Sequence, residues 1–486
     1  MRRRPTGCRR GCSIDSHMAG HALTRRLETG ERSITPHASW LGLAAGAGLT
    51  VGVAAAISPT AAIGLAVAIA LVIWVVRRPA VILTLLFASV FVQVITVSGV
   101  TIGRICGPIA LFLVVVVLLR GTAELRIAAP LVWAGAYALW AVASGLWSVD
   151  LSGTTTQLGS LAIAIAYMLA FATLLERRRD MQQVLYTVAV LALGIGIYGI
   201  ASQGRAGTNT GDPNFFAMVE IVALPLVLAL AADVRGRWAR LGLYGVVLVI
   251  VAAVFWSLSR GGLIALGAVV LVVLLLPWRT FFRSPRQKLV VLLVLVVAIF
   301  GAYQLTSQAL SARVEQVFTS EGSTGSGRLN AWRAAYTSIH ERPFLGLGFG
   351  GFEPSANQLM LRTSGVDLTN FRLRENGLFA HSAYIETVAE LGFLGLVLFV
   401  GLLCSTAISI WRVSMAAERV GSLYVTRLAN ALLIGLAGWG VSSIFLSSET
   451  SRSIWIIIGI ALALPKLLDE AVGADDRPNR STPVRI

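Results

Sequence analysis

The chain has 486 residues, of which 56% are hydrophobic and only 13% are charged, with a formal net charge of +16. A soluble domain carries about a quarter charged residues, so this composition, with a mean hydropathy of +0.77, excludes an ordinary soluble globular protein. The excess of basic residues does not indicate a nucleic-acid-binding surface, because Lys and Arg lie in short segments between apolar runs.

Apolar runs recur from Trp40 almost to the C terminus. A helix needs about 20 apolar residues to cross a bilayer, and backbone groups in hydrocarbon must satisfy their own hydrogen bonds, so these runs are predicted to be transmembrane helices. The predicted fold class is all-α, a polytopic integral membrane helical bundle. About fourteen spans are predicted, at residues 40–57, 60–76, 80–97, 105–119, 128–147, 158–175, 182–201, 214–232, 241–258, 262–277, 289–304, 387–411, 426–446 and 452–466.

Basic residues concentrate in every second connector between these spans. That side of the bundle, with both tails, holds 29 of the 40 Lys and Arg residues, which is the asymmetry typical of cytoplasmic segments. Both termini are therefore predicted to be cytoplasmic, and the first apolar run is longer than the core of a cleavable signal. The predicted organisation is a disordered basic cytoplasmic tail (1–38), spans one to eleven (39–304), a large helical extracytoplasmic loop (305–382), spans twelve to fourteen (383–466) and a cytoplasmic tail (467–486).

The large loop contains a predicted amphipathic helix from Gly327 to Ile339. Its apolar residues Leu329, Trp332, Tyr336 and Ile339 follow a helical spacing and form one stripe, which predicts a helix that lies on the membrane surface or caps the bundle. Pro343 is predicted to end this helix. The Gly-rich turn that follows, residues 345–351, is not a phosphate loop, because no Lys-Ser or Lys-Thr pair comes after it.

Three of the arginines predicted on the extracytoplasmic side are candidates for a functional site. Arg260 lies in a turn of a few residues between two spans, where a charge is costly and therefore indicates function. Arg205 lies between spans seven and eight, and Arg328 follows a Ser-Gly segment that permits close approach to a ligand. One guanidinium group can donate two hydrogen bonds to a phosphate group at once, so several converging arginines predict a phosphorylated ligand.

His381 is placed at the start of span twelve, where free backbone N–H groups disfavour the imidazolium form. A neutral imidazole can act as a general base. Glu386 and Glu390 lie one turn apart on the same helix face, where they could orient partners or pair with arginine, and pairing is expected. Glu220 is a carboxylate within span eight, and its expected partners are Arg205 or Arg260.

The sequence contains no cluster of residues with metal-ligand spacing and no nucleotide-binding motif, so no metal ion and no cofactor is expected. A phosphate-rich donor used outside the cytoplasm without ATP indicates a lipid-linked activated substrate that reaches the site through the bilayer.

Four motifs, in their order and spacing, resemble the O-antigen ligase and O-antigen polymerase superfamily of bacterial envelope glycan enzymes. The closest resemblance covers about 242–405, and the segment 211–214 is one further similarity upstream. The motifs are Ser257–Gly262, Gly327–Leu329 with Trp332, Pro343–Gly348 and His381–Gly392.

The resemblance implies a membrane glycosyltransferase of GT-C-like architecture that is independent of metal and inverts the anomeric centre. Such enzymes take a glycan from an undecaprenyl diphosphate carrier and join it to an acceptor sugar hydroxyl, outside the cytoplasm and within the inner (plasma) membrane, in envelope or extracellular polysaccharide assembly. By this resemblance Arg205, Arg260 and Arg328 hold the diphosphate and His381 activates the acceptor. Supporting roles would fall to Glu220, Glu386 and Glu390.

The sequence leaves several functions open. Polymerases and ligases of this superfamily share the pattern, and the glycan and the acceptor are not specified. A transporter or flippase for a lipid-linked sugar or small anion is an alternative, although no internal repeat typical of transporters is visible. A non-catalytic assembly partner is the second alternative, and in that case His381 and Arg260 would tolerate substitution.

Overall fold

The computed structural model describes residues 78–91, 96–97, 100–121, 125–202, 212–319, 328–366 and 378–475. The predicted spans at 40–57 and 60–76 lie outside these residues, as does the predicted tail at 1–38. The fourteen-span count therefore stays a prediction, and the description below concerns the chain from residue 78 onward.

The described chain is almost entirely helical, as predicted. A short antiparallel hairpin pairs β1 (Thr96–Val97) with β2 (Val100–Thr101), with Thr96 opposite Thr101. The helices are α1 (Pro79–Phe91), α2 (Ile102–Leu119), α3 (Ala129–Ala143), α4 (Leu151–Leu174), α5 (Arg178–Ala201), α6 (Pro213–Asp233), α7 (Arg237–Trp256), α8 (Arg260–Leu275), α9 (Pro285–Thr319), α10 (Arg328–Glu341), α11 (Phe352–Arg362), α12 (Ala383–Arg419), α13 (Leu423–Ser442) and α14 (Arg452–Asp475).

Many of these helices are apolar enough to lie in a membrane. Among the described residues, eight helices have the length and composition to cross a bilayer, and three shorter helices, at Ala80–Phe91, Arg104–Leu119 and Arg260–Leu275, are also apolar. The protein is thus a multi-pass membrane protein. The eight are Ala129–Leu146, Leu151–Leu174, Arg178–Ala201, Pro213–Asp233, Arg237–Trp256, Pro285–Leu305, Ala383–Arg419 and Leu423–Ser442.

Helix α6 forms the centre of the bundle. It is apolar on all sides and nearly all of its residues are buried, whereas the apolar side chains of α9 within the span are mostly exposed. A helix without a polar face is stable only when other helices surround it, and α5, α7, α8 and α13 pack against α6. Asp212 caps its first turn by accepting a hydrogen bond from the Asn214 backbone N–H at 2.7 Å. The start of α6 is consequently fixed at one end of the bundle.

Several basic residues from the predicted cytoplasmic connectors lie together at the opposite end. Arg178 forms an ion pair with Asp233 at 2.7 Å, at the end of α6. Arg427 and Arg283 donate to the carbonyl oxygens of Ala232 and Val234, at 3.3 and 2.9 Å. These arginines satisfy carbonyl groups that a helix leaves free at its C terminus, where a positive charge is also favourable.

The predicted loop 305–382 contains helical structure. Helix α9 continues to Thr319, fifteen residues beyond the predicted end of the span at 304, and α10 and α11 follow. Helix α10 ends at Glu341, just before Pro343 as predicted. The position of this segment outside the cytoplasm stays a prediction.

The predicted apolar stripe of α10 faces the protein only in part, through Ile339, which packs against a small core, and Trp332, which is partly buried. Leu329 and Tyr336 are exposed, at 39% and 70%. The buried face consists of small residues that allow close packing against α11 and α12. These are Asn330, Ala331, Ala334, Ala335 and Ser338. Leu329 and Tyr336 therefore do not cap the bundle, and the alternative, that they lie on the membrane surface, stays a prediction.

Candidate active site

The turn that presents Arg260 is fixed by serine hydrogen bonds. Ser259 caps α8, accepting from the Gly262 backbone N–H at 3.0 Å, and its hydroxyl donates to the Asn214 side-chain oxygen at 2.8 Å. The starts of α6 and α8 are thereby tied together. Arg260 is the first residue of α8 and is exposed at this end of the bundle rather than held between the apolar helices.

Arg328 lies near Arg260. It begins α10 and is partly buried, and burial lowers its pKa, with repulsion from the Arg260 charge as the second cause. The Asp212 carboxylate acts on that pKa in the opposite direction. The structure thus brings two guanidinium groups and one carboxylate within electrostatic range. Both guanidinium groups stay charged at neutral pH, so the cluster has an excess of positive charge that suits an anion.

Arg205 belongs to the segment 203–211, which lies outside the described residues. Its place beside Arg260 and Arg328 therefore stays a prediction. The adjoining residues Asp212 and Asn214 are described, and they take part in the site that Arg260 and Arg328 form.

His381 precedes α12 by two residues, since the helix begins at Ala383 with Ser382 as its cap. Its backbone is held from both sides. The Trp332 indole N–H donates to the Ala380 carbonyl at 2.8 Å, and the Ala383 N–H donates to the carbonyl of Ser443 at 2.9 Å. Trp332 belongs to α10, which begins at Arg328. The segment before α12 is therefore connected to the helix that carries one of the two arginines.

Two non-glycine residues of the described chain have left-handed backbone angles. These are Leu258, with φ of 50°, and His381, with φ of 51°. Such conformations are costly for residues with a side chain and concentrate at functional sites. One of them lies two residues before Arg260 and the other is the candidate base. The strain supports the choice of these two segments as functional.

Glu220 lies in the middle of α6 and is only 1% exposed. The expected pairing with Arg260 is wrong, because within the described part of the chain neither carboxyl oxygen of Glu220 has a hydrogen-bond partner. The carboxyl lines a small apolar cavity with Phe91, Phe215 and Ile195. Glu220 is therefore separate from the arginine cluster as far as the described residues extend.

Among the described residues, the expected pairing of Glu386 and Glu390 with arginine is not found. Both are 2% exposed, and the described residues form no ion pair with either. Glu386 accepts a hydrogen bond from the Ser447 hydroxyl, and Glu390 accepts one from the Phe352 backbone N–H at 3.2 Å. A third buried carboxyl, Glu449, lies close enough to both to interact electrostatically. The glutamates thus form a buried acidic group rather than counter-ions for the arginines.

The stability of the fold should depend on pH through Glu449, which lies between α13 and α14. Burial is the main cause that raises its pKa, opposed by backbone hydrogen bonds and one from Gln157. The folded state therefore retains a proton that the unfolded state loses, and stability falls as pH rises through the interval between the ordinary and the raised pKa. Glu449→Gln should reduce this slope, which for one group is at most about 1.4 kcal/mol per pH unit.

Thermal unfolding of the purified protein at a series of pH values measures this effect. Glu341→Gln is the matched control, because Glu341 is exposed at the end of α10. Equal slopes in the Glu449→Gln and Glu341→Gln variants would contradict the prediction.

The Gly-rich turn at residues 345–351 forms backbone hydrogen bonds with α12. The Leu347 and Gly348 N–H groups donate to the carbonyls of Ala389 and Glu390, at 3.0 and 2.9 Å. These carbonyls are available because α12 is kinked at Gly392, with φ of 67° and ψ of −175°. The turn and the kink dock onto each other and position the first part of α12. The interpretation that the turn is not a phosphate loop agrees with this arrangement.

Gly392→Ala should unfold the protein at a markedly lower temperature. The backbone angles of Gly392 are accessible almost only to glycine, and an added Cβ would meet the Phe344 carbonyl. We expect a loss of about 2–5 kcal/mol from strain and overlap together. Gly365→Ala is the control, since Gly365 also has positive φ but open space around it, and it should lose only about 1–2 kcal/mol. Equal melting temperatures for the two variants would contradict the docking of the turn.

A family comparison covers the central part of this site. The sequence model described as O-antigen ligase matches residues 245–400, which include Arg260, Arg328, His381, Glu386 and Glu390. No curated protein matches the chain at a significant level. Over the matched region, from α7 into α12, the predicted resemblance of this membrane protein to the O-antigen ligase and polymerase superfamily is thus confirmed.

Proposed function

We propose that this protein is a membrane-embedded glycosyltransferase that moves a glycan from an undecaprenyl diphosphate carrier to an acceptor sugar hydroxyl outside the cytoplasm. The observation that carries the proposal is the proximity of Arg260 and Arg328 within the region that matches the O-antigen ligase family. The two residues begin helices α8 and α10 at the same end of the bundle. A donor with a long hydrocarbon chain can reach them through the bilayer.

In this proposal the arginines hold the diphosphate of the donor. Guanidinium groups bind phosphate oxygens in a bidentate manner, and their charge stabilises the negative charge that develops on the leaving diphosphate. Arg205, in the adjoining segment, would add a third contact. The guanidinium groups supply the positive charge that the leaving group needs, so no step of the scheme requires a metal ion.

His381 would act as the general base. Its imidazole takes the proton of the acceptor hydroxyl as that oxygen attacks the anomeric carbon. The bond from the anomeric carbon to the diphosphate oxygen breaks with its electron pair, and undecaprenyl diphosphate leaves. Attack opposite the leaving group inverts the anomeric centre. The products are the elongated or ligated glycan, the free carrier and a protonated imidazole that returns its proton to solvent.

The proposal places the site on the extracytoplasmic face of the inner membrane, with both termini in the cytoplasm. One observation, read with a general rule, supports this orientation. The basic residues Arg178, Arg283 and Arg427 cluster at the opposite end of the bundle, where they cap helix ends. Cytoplasmic segments are the ones enriched in basic residues.

Surface polysaccharide from a deletion strain, separated on a gel, tests the function. Loss of long chains with single repeat units retained indicates a polymerase, and loss of attachment with accumulated lipid-linked glycan indicates a ligase. Either result supports the proposal when wild-type protein restores the pattern. An unchanged glycan, or lipid-linked glycan retained on the cytoplasmic face of the membrane, would contradict it, and the second outcome would identify a flippase.

A further inference from the structure

A polar cavity of about 650 Å³ lies beside His381, between the start of α4, helix α11 and the start of α12. Its size falls within the range of small-molecule binding pockets. Phe379 lines the cavity, and its ring centroid lies 6.5 Å from that of His381. The cavity is therefore adjacent to the candidate base. Its principal polar side chains are Asp150, Gln157, Glu353, Asn357, Glu386 and Glu390.

The lining of this cavity is acidic. Four of its side chains are carboxyls, and no Lys or Arg is among the described residues that line it. Two of the four, Glu386 and Glu390, are 2% exposed. The carboxyls of Asp150 and Glu353 thus give the wall a charge opposite to that of the cluster formed by Arg260 and Arg328, whereas burial disfavours the charged form of Glu386 and Glu390. A ligand that carries carboxylate or phosphate groups would be repelled from it.

A buried carboxyl oxygen beside the cavity lacks a partner. Glu449 is 2% exposed, and one of its oxygens accepts from the side chain of Gln157, which lines the cavity, at 3.1 Å. The other oxygen has no hydrogen-bond partner among the described residues. Glu449 does not itself line the cavity, and it acts on the wall only by holding the side chain of Gln157. The acidic group is not arranged as a metal site, since no three potential metal-ligating side chains of the described chain converge.

We infer that this cavity binds the end of the acceptor glycan and admits uncharged or amino sugars while excluding acidic ones. The inference rests on the proposed function and specifies its acceptor. Sugar hydroxyl and ammonium groups are hydrogen-bond donors, which carboxyl oxygens accept, and Asn357 and Gln157 can both donate and accept. Phe379, which is 44% exposed, offers a ring on which a sugar can pack. A sugar packed on Phe379 lies next to the ring that contacts His381, although His381 does not itself line the cavity.

Binding of three disaccharides to the full-length protein in lipid nanodiscs tests this inference without any donor. The probes are N,N′-diacetylchitobiose, which is uncharged, its deacetylated form, which is cationic, and digalacturonate, which is anionic. Saturation-transfer NMR and calorimetry should show binding of the first two at least about tenfold tighter than that of digalacturonate. Equal binding of all three, or binding of none, would overturn the inference.

Two variants in which glutamine replaces a glutamate of the same shape test whether the disaccharides bind in this cavity. Glu353→Gln removes one carboxylate from the cavity wall and should raise digalacturonate affinity about tenfold, whereas Glu341→Gln, at an exposed position outside the cavity, should leave it unchanged. Equal affinities in these variants would overturn the assignment to this cavity. Because no donor is present, selective binding by a protein that transfers no glycan would contradict the proposed function and leave the saccharide site standing.

Discussion

Replacing Arg260 with alanine should lower glycan transfer by about a hundredfold to a thousandfold while membrane insertion stays at the wild-type level. Arg260 is exposed at the start of α8, so its removal creates no core cavity. Loss of one preorganised group that stabilises the leaving-group charge has an effect of this size. Arg260→Lys should recover only part of the activity, because lysine retains the charge but not the bidentate geometry.

Arg328→Ala should have a similar effect, and the double variant should lose less than the product of the two single losses. The two charges act on one ligand, and residues that act as a unit are not additive. Arg342→Ala is the matched control, since Arg342 is exposed just beyond the end of α10. The measurement is transfer by purified protein with a lipid diphosphate donor. Fully additive losses, or an active Arg260→Ala enzyme, would contradict a shared diphosphate site.

His381→Asn should lower the transfer rate by about 10²–10⁴-fold, the usual contribution of a general base. Asparagine is chosen because His381 has a φ of 51°, a conformation that asparagine tolerates and alanine does not. The variant therefore removes the imidazole without disturbing the backbone before α12. Binding of the donor should be unchanged, because the arginines hold the diphosphate.

The pH dependence of the transfer rate distinguishes a general base from a residue that only positions the substrate. In the wild-type enzyme the rate should fall at low pH as the imidazole becomes protonated, and this acid limb should be absent from the residual activity of His381→Asn. Added imidazole should restore part of the rate if the cavity beside Phe379 admits it. An acid limb that persists in the variant would remove His381 from the role of base.

The helices of the described chain and the family resemblance could be predicted because their signals are local. Long apolar runs specify spans, and the motifs around Arg260 and His381 that carry the resemblance are continuous in sequence. The boundaries were less accurate where a helix extends beyond the apolar run, as α9 does to Thr319. The apolar stripe of α10 predicts only part of its packing, since small residues form the buried face against α11 and α12.

The acidic cavity could not be predicted, because its parts are distant in the chain. Asp150, Glu353 and Glu390 come from the start of α4, from α11 and from α12, and Glu449, whose carboxyl accepts from Gln157, lies in the turn between α13 and α14. The link between Asn214 and Ser259 was missed for the same reason, although the Asp-Pro sequence before Asn214 is a typical helix start. Among the described residues, Glu386 and Glu390 do not pair with arginine as expected, because their side chains accept from Ser447 and the Phe352 N–H.

The most direct test of the account is a cryo-electron microscopy structure with undecaprenyl diphosphate bound. Its diphosphate should lie within hydrogen-bond distance of the guanidinium groups of Arg260 and Arg328, with the imidazole of His381 facing the same space. Density for the diphosphate at another basic group would contradict the account. Arg452 is such a group, because one of its guanidinium nitrogens has no hydrogen-bond partner among the described residues.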